Sequence, residues 1–149
     1  MEILLMSLPY RNSLKKQLAI VTCSCCLLFS ALASGQSLQD GVYTDAQAER
    51  GAEEYAARCA SCHSADLRGN SNSPSLVGLS FMFIWEGKTL GELFGKMSTE
   101  MPTENPGSLS MQSYASVLAF ILKSNEFPAG DSELAASADA LASIQISSQ

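Results

Sequence analysis

The run Cys59-Ala60-Ser61-Cys62-His63 puts two thiols and an imidazole on five consecutive residues. Two cysteines three positions apart with a histidine directly after is the c-type haem attachment pattern. The spacing follows from the chemistry. Two thiols on one turn reach the two vinyl groups of a single porphyrin and form thioethers, and the adjacent imidazole lies against the iron as its proximal ligand. The other ring nitrogen is expected to donate to a backbone carbonyl, which fixes the ring and raises its basicity.

The flanking sequence narrows the alternatives. Arg11, Lys15 and Lys16 precede an apolar stretch from Leu18 to Leu32, and Ala31-Leu32-Ala33 offers an A-x-A cleavage site. This is the layout of a secretory signal peptide, so residues 1–33 are expected to be removed and the rest to work in the periplasm. The apolar stretch is 15 residues long, short for a membrane span. An uncleaved anchor is the alternative, and no stable span is expected after cleavage. Cys23, Cys25 and Cys26 leave with the signal, so Cys59 and Cys62 remain beside the single histidine, His63. A disulfide is the rival use of two cysteines in an exported chain, but a thioredoxin-like motif belongs beside a βαβ pattern, which is not visible. Structural zinc wants four ligands, and only three soft ones exist.

The whole chain carries a formal charge of −6, and its mature part, beyond the signal, has 6 basic against 14 acidic residues, or −8. Such a body disfavours nucleic acid and anionic membrane surfaces. It suits a basic docking patch on a partner, with association sensitive to salt.

Residues 34–43 read as a loose arm. Thr44-x-x-Gln47 is a capping-box pattern, after which Ala48, Gly51, Ala52, Tyr55 and Cys59 recur at helical spacing. Gly51 costs about 1 kcal/mol relative to alanine inside a helix, which a close helix–helix crossing would explain. Ser64 to Gly78 is loop. Within it the carbonyl of Pro74 is the candidate acceptor for the His63 proton, and Leu76 a candidate porphyrin contact. Arg68 is either a propionate partner or, as surface arginines more often are, a solvated charge. Phe81-Met82-Phe83-Ile84-Trp85 reads as a short strand or buried turn. It is either ordinary core or a wall of the haem pocket, with the Trp85 ring N–H directed to a polar partner such as a propionate.

Thr89-x-x-Glu92 is a second capping box, opening an amphipathic helix of about two turns on Leu90, Leu93, Phe94 and Met97. Pro102 pushes Met101 out of the helical region, which places its side chain in a loop where it is free to be aimed. Met101 is therefore the candidate sixth, thioether ligand, its rival role being a gap-filling core methionine. Met97 fits the core face of the preceding helix. Ser110 or Ser113 caps the last long helix, where Tyr114, Val117, Leu118, Ile121 and Leu122 follow a strict helical stripe, the natural partner for Gly51 and Tyr55. Asn125, Pro128 and Gly130 end it. Residues 131–149 read as an extension wrapped on the surface, with Leu134, Leu141, Ile144 and Ile146 as anchors.

From Thr44 to Gly130 the chain resembles a class I cytochrome c, in order as well as in motif: a helix with Gly51 and Tyr55, then Cys59-x-x-Cys62-His63, Pro74-Ser75-Leu76-Val77-Gly78, Trp85, Met101-Pro102 and a final helix with Ala119-Phe120. The resemblance implies an all-α fold, about three to four helices packed round one covalently bound haem c, with the first and last helices crossing. It also implies a histidine and a methionine on opposite faces of the iron. The run from Met101 through Asn105-Pro106-Gly107-Ser108-Leu109 to Tyr114, Leu118 and Asn125 is similar to cytochromes associated with bacterial quinoprotein dehydrogenases. That implies such a dehydrogenase as electron donor, and a terminal oxidase or another cytochrome as acceptor.

The expectation is thus an exported monohaem electron carrier with no enzymatic activity of its own. Two alternatives stay open: a haem subunit held by a periplasmic dehydrogenase or oxidase, and a five-coordinate ligand-binding haem protein. The latter would need Arg68 or Tyr114 to stand in for a missing distal histidine.

Overall fold

Residues 36–148 are described by the computed structural model, and the expected signal peptide, 1–33, lies outside them. A 3-10 turn at Leu38–Asp40 leads into α1 (Asp45–Arg58), α2 (Ala60–His63), α3 (Gly78–Trp85), α4 (Leu90–Glu100), α5 (Met111–Ser124) and α6 (Ala138–Leu141), with no strand among the described residues. Four of these helices are two turns or longer. This is the all-α fold of a small cytochrome c, with α2 and α6 as single turns added to it.

The fold is built on the crossing of α1 and α5, its most extensive helix pair. Gly51 is the reason they approach so closely: a Cβ there would stand 1.8 Å from the backbone oxygen of Ser116. One turn on, the rings of Tyr55 and Phe120 lie 5.3 Å apart and tilted by 54°. The α5 stripe of Tyr114, Val117, Leu118, Ile121 and Leu122 is buried throughout.

The two capping boxes behave differently. At α4 both halves form between Thr89 and Glu92. That helix runs three turns rather than about two, because nothing stops it until Pro102 forces Met101 into extended backbone (φ −119°, ψ 152°). At α1 the Thr44 hydroxyl accepts the Gln47 N–H at 3.1 Å, but the Gln47 side chain does not return the bond. It is buried, donates to the Leu134 carbonyl at 3.0 Å and accepts the Leu134 N–H at 2.7 Å. A side-chain amide there imitates a backbone partner for the C-terminal segment.

The apolar run at 81–85 is helical, part of α3, and not a strand or turn. Phe81 and Trp85, four residues apart, face inward at 0% and 8% exposure, while Leu79 and Phe83, also four apart, face solvent at 90% and 91%. A run with no polar residue carries no period, so helix and strand could not be told apart from composition.

The N-terminal arm departs from the sequence-based expectation, whereas the C-terminal extension uses the four anchors expected of it. Within the arm, Leu38, Val42 and Tyr43 are buried, the Tyr43 hydroxyl donates to the Phe127 carbonyl at 2.5 Å, and the Gly130 N–H donates to the Tyr43 carbonyl at 2.7 Å. In the extension, Leu134, Leu141, Ile144 and Ile146 are all within 4% of full burial. Ile144 accepts the Leu90 N–H, and Ile146 bonds Gly87 and Lys88, each at 2.8 Å. Gly91 makes room for α6, since a Cβ there would come 2.5 Å from the Ala138 carbonyl oxygen. The arm is therefore not loose, since its apolar residues are buried and it pairs with the 127–130 segment. The extension runs over the surface as expected, with its four anchors sunk into the core and the rest of it mostly exposed.

Candidate cofactor site

The end of α1, the loop before α3, α3 itself and the facing sides of α4 and α5 enclose a cavity of about 430 Å³, within the size of small-molecule sites generally. Cys59, Cys62, His63, Pro74, Leu76, Trp85 and Met101 all line it. Most of the remaining wall is apolar: Phe81, Ile84, Leu93, Leu109, Val117 and Ile121. Met97, one helical turn before Met101, lines it too. Arg68 does not; its side chain is 79% exposed, 3.6 Å from Asp66. The cations that do reach the wall are Arg58 and Lys96, the latter paired with Glu100 along α4.

Cys59 caps the C-terminus of α1, and its carbonyl accepts both the Cys62 N–H at 3.1 Å and the His63 N–H at 2.9 Å. That tight turn presents the two sulfurs, both free thiols, with Cys62 the more exposed. Burial, with the negative charges of Glu54 and Glu104 and the Cys62 thiol beside it, pushes the Cys59 thiol up to about 11. The Asn70 amide donates to the Cys62 carbonyl at 2.6 Å. Gly69 sits at φ 72°, where a Cβ would fall 2.3 Å from the Ser73 carbonyl oxygen, so glycine is required for the loop to fold back on the turn.

His63 is 9% exposed, and its Nδ1 lies 3.0 Å from the Pro74 carbonyl oxygen. That oxygen can only accept, so Nδ1 carries the proton and Nε2 is left with a lone pair. The Pro74 segment is itself held. Leu76 N–H donates to Leu67 at 2.8 Å. The Asn125 side chain donates to the Leu76 and Ile121 carbonyls and accepts the Gly78 N–H, each at 2.9 Å. Tyr55 donates to the Ser64 carbonyl at 2.7 Å, and burial pushes its hydroxyl up to about 12. On the other side of the site, the Met101 carbonyl accepts from the Tyr114 hydroxyl at 2.5 Å. The Lys88 ammonium stands 4.9 Å over the Trp85 ring, a cation–π contact that backs this wall.

Asn125 and Tyr114 are the residues whose part at the site the sequence did not reveal. From the residues Asn125 read as a helix terminator, and Tyr114 as a member of the stripe and a candidate stand-in for a distal histidine; neither reading gave the hydrogen bonds seen here.

Two thiols, an imidazole with one nitrogen free and a thioether, all on the wall of one apolar cavity, make up the donor set that a haem c needs. The residues fit the group. No cluster of three or more His, Cys, Asp or Glu able to hold a bare metal ion occurs among the described residues.

A helical fold with this donor set is a haem c electron-transfer domain. The chain belongs to the family described as cytochrome c oxidase, cbb3-type, subunit III, which matches residues 46–121, slightly more than half of its length. That span includes all seven cavity residues read from the sequence. No curated protein and no solved structure matches the chain. As a cytochrome c domain it binds haem iron, transfers electrons and has redox proteins as partners.

Proposed function

We propose that this chain is an exported carrier of single electrons, with one haem held through thioethers to Cys59 and Cys62 and ligated by His63 and Met101. The hydrogen bond from His63 to Pro74 carries the reading. A histidine whose outer nitrogen is committed to a backbone carbonyl is oriented with its other nitrogen free for a metal. When bound, haem supplies a one-electron cycle between ferric and ferrous iron.

The chain's own residues do the rest. Leu76, Phe81, Ile84, Leu93 and Ile121 give the site apolar walls, which favour the less charged, ferrous form. The soft Met101 sulfur acts in the same direction and raises the potential. With His63 and Met101 both committed, no open position is left for oxygen or peroxide, so the protein is read as a carrier and not as an enzyme. The acidic body, formally −8 after the expected signal, suits a partner with a basic docking patch.

The basic residues and apolar stretch before Ala33 support export to the periplasm. Among the described residues no helix is long and apolar enough to cross a membrane. The Met101-to-Asn125 pattern supports a quinoprotein dehydrogenase as donor, with a terminal oxidase or another cytochrome as acceptor. The family's description as an oxidase subunit favours a second reading, a haem subunit resident in a larger enzyme. Purification of the native protein separates the two: a lone monomer supports the carrier, and constant co-purification with an enzyme supports the subunit.

Ligation is tested on the ferric, haem-loaded protein by the weak far-red band that methionine sulfur gives. Met101→Ala is expected to abolish the band and lower the reduction potential, and Met97→Ala to leave both in place. The reverse pattern would move the ligand to Met97, a band kept in both variants would exclude each as the required ligand, and a parent protein without the band would remove methionine ligation.

A further inference from the structure

Residues 102–108 form a segment in which every residue but Pro102 is exposed. The Asn105 N–H donates to the Pro102 carbonyl at 2.9 Å within it, and the Gly107 N–H to the carbonyl of the preceding Met101 at 3.3 Å. A loop with so little buried surface opens locally at small cost in free energy. Yet this loop begins at the residue whose sulfur is the proposed axial ligand.

The tether comes from α5. Tyr114 is 2% exposed and its ring lines the cavity. Its hydroxyl donates to the Met101 carbonyl at 2.5 Å and stands 3.5 Å from the Leu109 N–H, which it accepts. One oxygen thus donates a short bond to the first end of the loop and accepts a long, weaker one from the other. The hydroxyl is fixed by a ring packed in the α5 stripe, so it behaves as part of the helix and not as part of the loop.

We propose that Tyr114 is a positioning residue for the Met101 ligand, its hydroxyl clamping both ends of the 101–109 loop and so holding the thioether in the cavity. This rests on Met101 being the ligand. Tyr114→Phe keeps the ring and the apolar wall but removes the clamp, leaving the Met101 carbonyl only its long bond from Gly107. The loop then opens more often and the sulfur leaves the iron for a larger fraction of the time.

The test uses the haem-loaded protein and carbon monoxide as a probe, since carbon monoxide reaches ferrous iron only when the sulfur is off. Tyr114→Phe is expected to bind carbon monoxide about five to ten times faster than the parent, the effect of one lost hydrogen bond on a local opening, and to weaken the far-red ferric band. Leu118→Ala is the comparison. That side chain is fully buried in α5 but does not reach the cavity, so its loss lowers overall stability while leaving the carbon monoxide rate and the band at parental values. If Tyr114→Phe matches the parent in both readouts while Met101→Ala loses the band, the clamp is wrong and the ligand assignment stands. Equal acceleration in Tyr114→Phe and Leu118→Ala would likewise reduce Tyr114 to a structural residue. If Met101→Ala keeps the band, the ligand assignment itself fails and the clamp with it.

Discussion

Gly51 and Ser116 leave no room between them: a side-chain carbon at position 51 would sit 1.8 Å from the Ser116 carbonyl oxygen. The obstacle is backbone in the middle of α5, which cannot swing away as the end of a flexible side chain can. Gly51→Ala is therefore expected to push the crossing helices apart and cost about 3 kcal/mol, the upper end for overpacking. Gly95, also inside a helix, has nothing within 4 Å of where its Cβ would be, so Gly95→Ala is expected to gain about 0.5–1 kcal/mol through helix propensity. Chemical denaturation of both variants checks the opposite signs. Similar shifts in the two would mean that propensity and not the crossing governs position 51.

The C-terminal segment is expected to be indispensable. A chain ending at Gly130 loses Leu134, Leu141, Ile144 and Ile146 from the core, at about 1.5–3 kcal/mol for each large apolar side chain. The sum rivals the whole net stability of an ordinary domain, about 5–15 kcal/mol. It also strips the partners of Gly87, Lys88 and Leu90, the backbone that leads from Trp85 into α4. The shortened chain should show no cooperative thermal transition by circular dichroism. A transition like the parent's would show the four anchors to be dispensable.

Tyr55 sets an alkaline limit. In an unfolded chain a tyrosine ionises near 10, whereas burial, with the neighbouring Cys59 and Asp66 adding to it, pushes this hydroxyl up to about 12. The folded protein keeps the proton through that window and the unfolded chain gives it up. Tyr55's contribution is therefore intact below pH 10 and is lost as pH rises from about 10 to 12. Tyr55→Phe should be less stable than the parent at pH 7, having lost its bond to the Ser64 carbonyl, but should decline less steeply above pH 10. Urea titrations across that range check this, and parallel decline of the two proteins would contradict it.

Much of the site could be read from the chain because its chemistry is local or punctuated. Cys59, Cys62 and His63 are adjacent in sequence, Pro74 follows after a short loop, and Pro102 marks the residue before it as non-helical. The long helices were equally plain wherever polar and apolar residues alternate in turns, as along α5. The hidden features depend on pairings between distant segments. Gln47 looks like the second half of a capping box, but its amide is claimed by Leu134, 87 residues away. Ile144 and Ile146 stand out as anchors, but the place where they dock is set by backbone hydrogen bonds to Gly87, Lys88 and Leu90, which leave no mark on side-chain pattern. Tyr114 has the spacing of a core residue, and nothing in that spacing tells where its hydroxyl goes. Arg68 lies five residues after His63 yet points to solvent, while Arg58 reaches the cavity because it occupies the last turn of α1.

The central claim is that Cys59 and Cys62 hold a haem through covalent bonds, and the intact mass of the purified, denatured chain tests it most directly. The expected result is a chain heavier by one haem whose visible absorbance stays with the polypeptide, and loss of both in the Cys59→Ser, Cys62→Ser double variant. A haem-free mass from a host able to attach haem, with Cys59 and Cys62 joined as a disulfide, would contradict it.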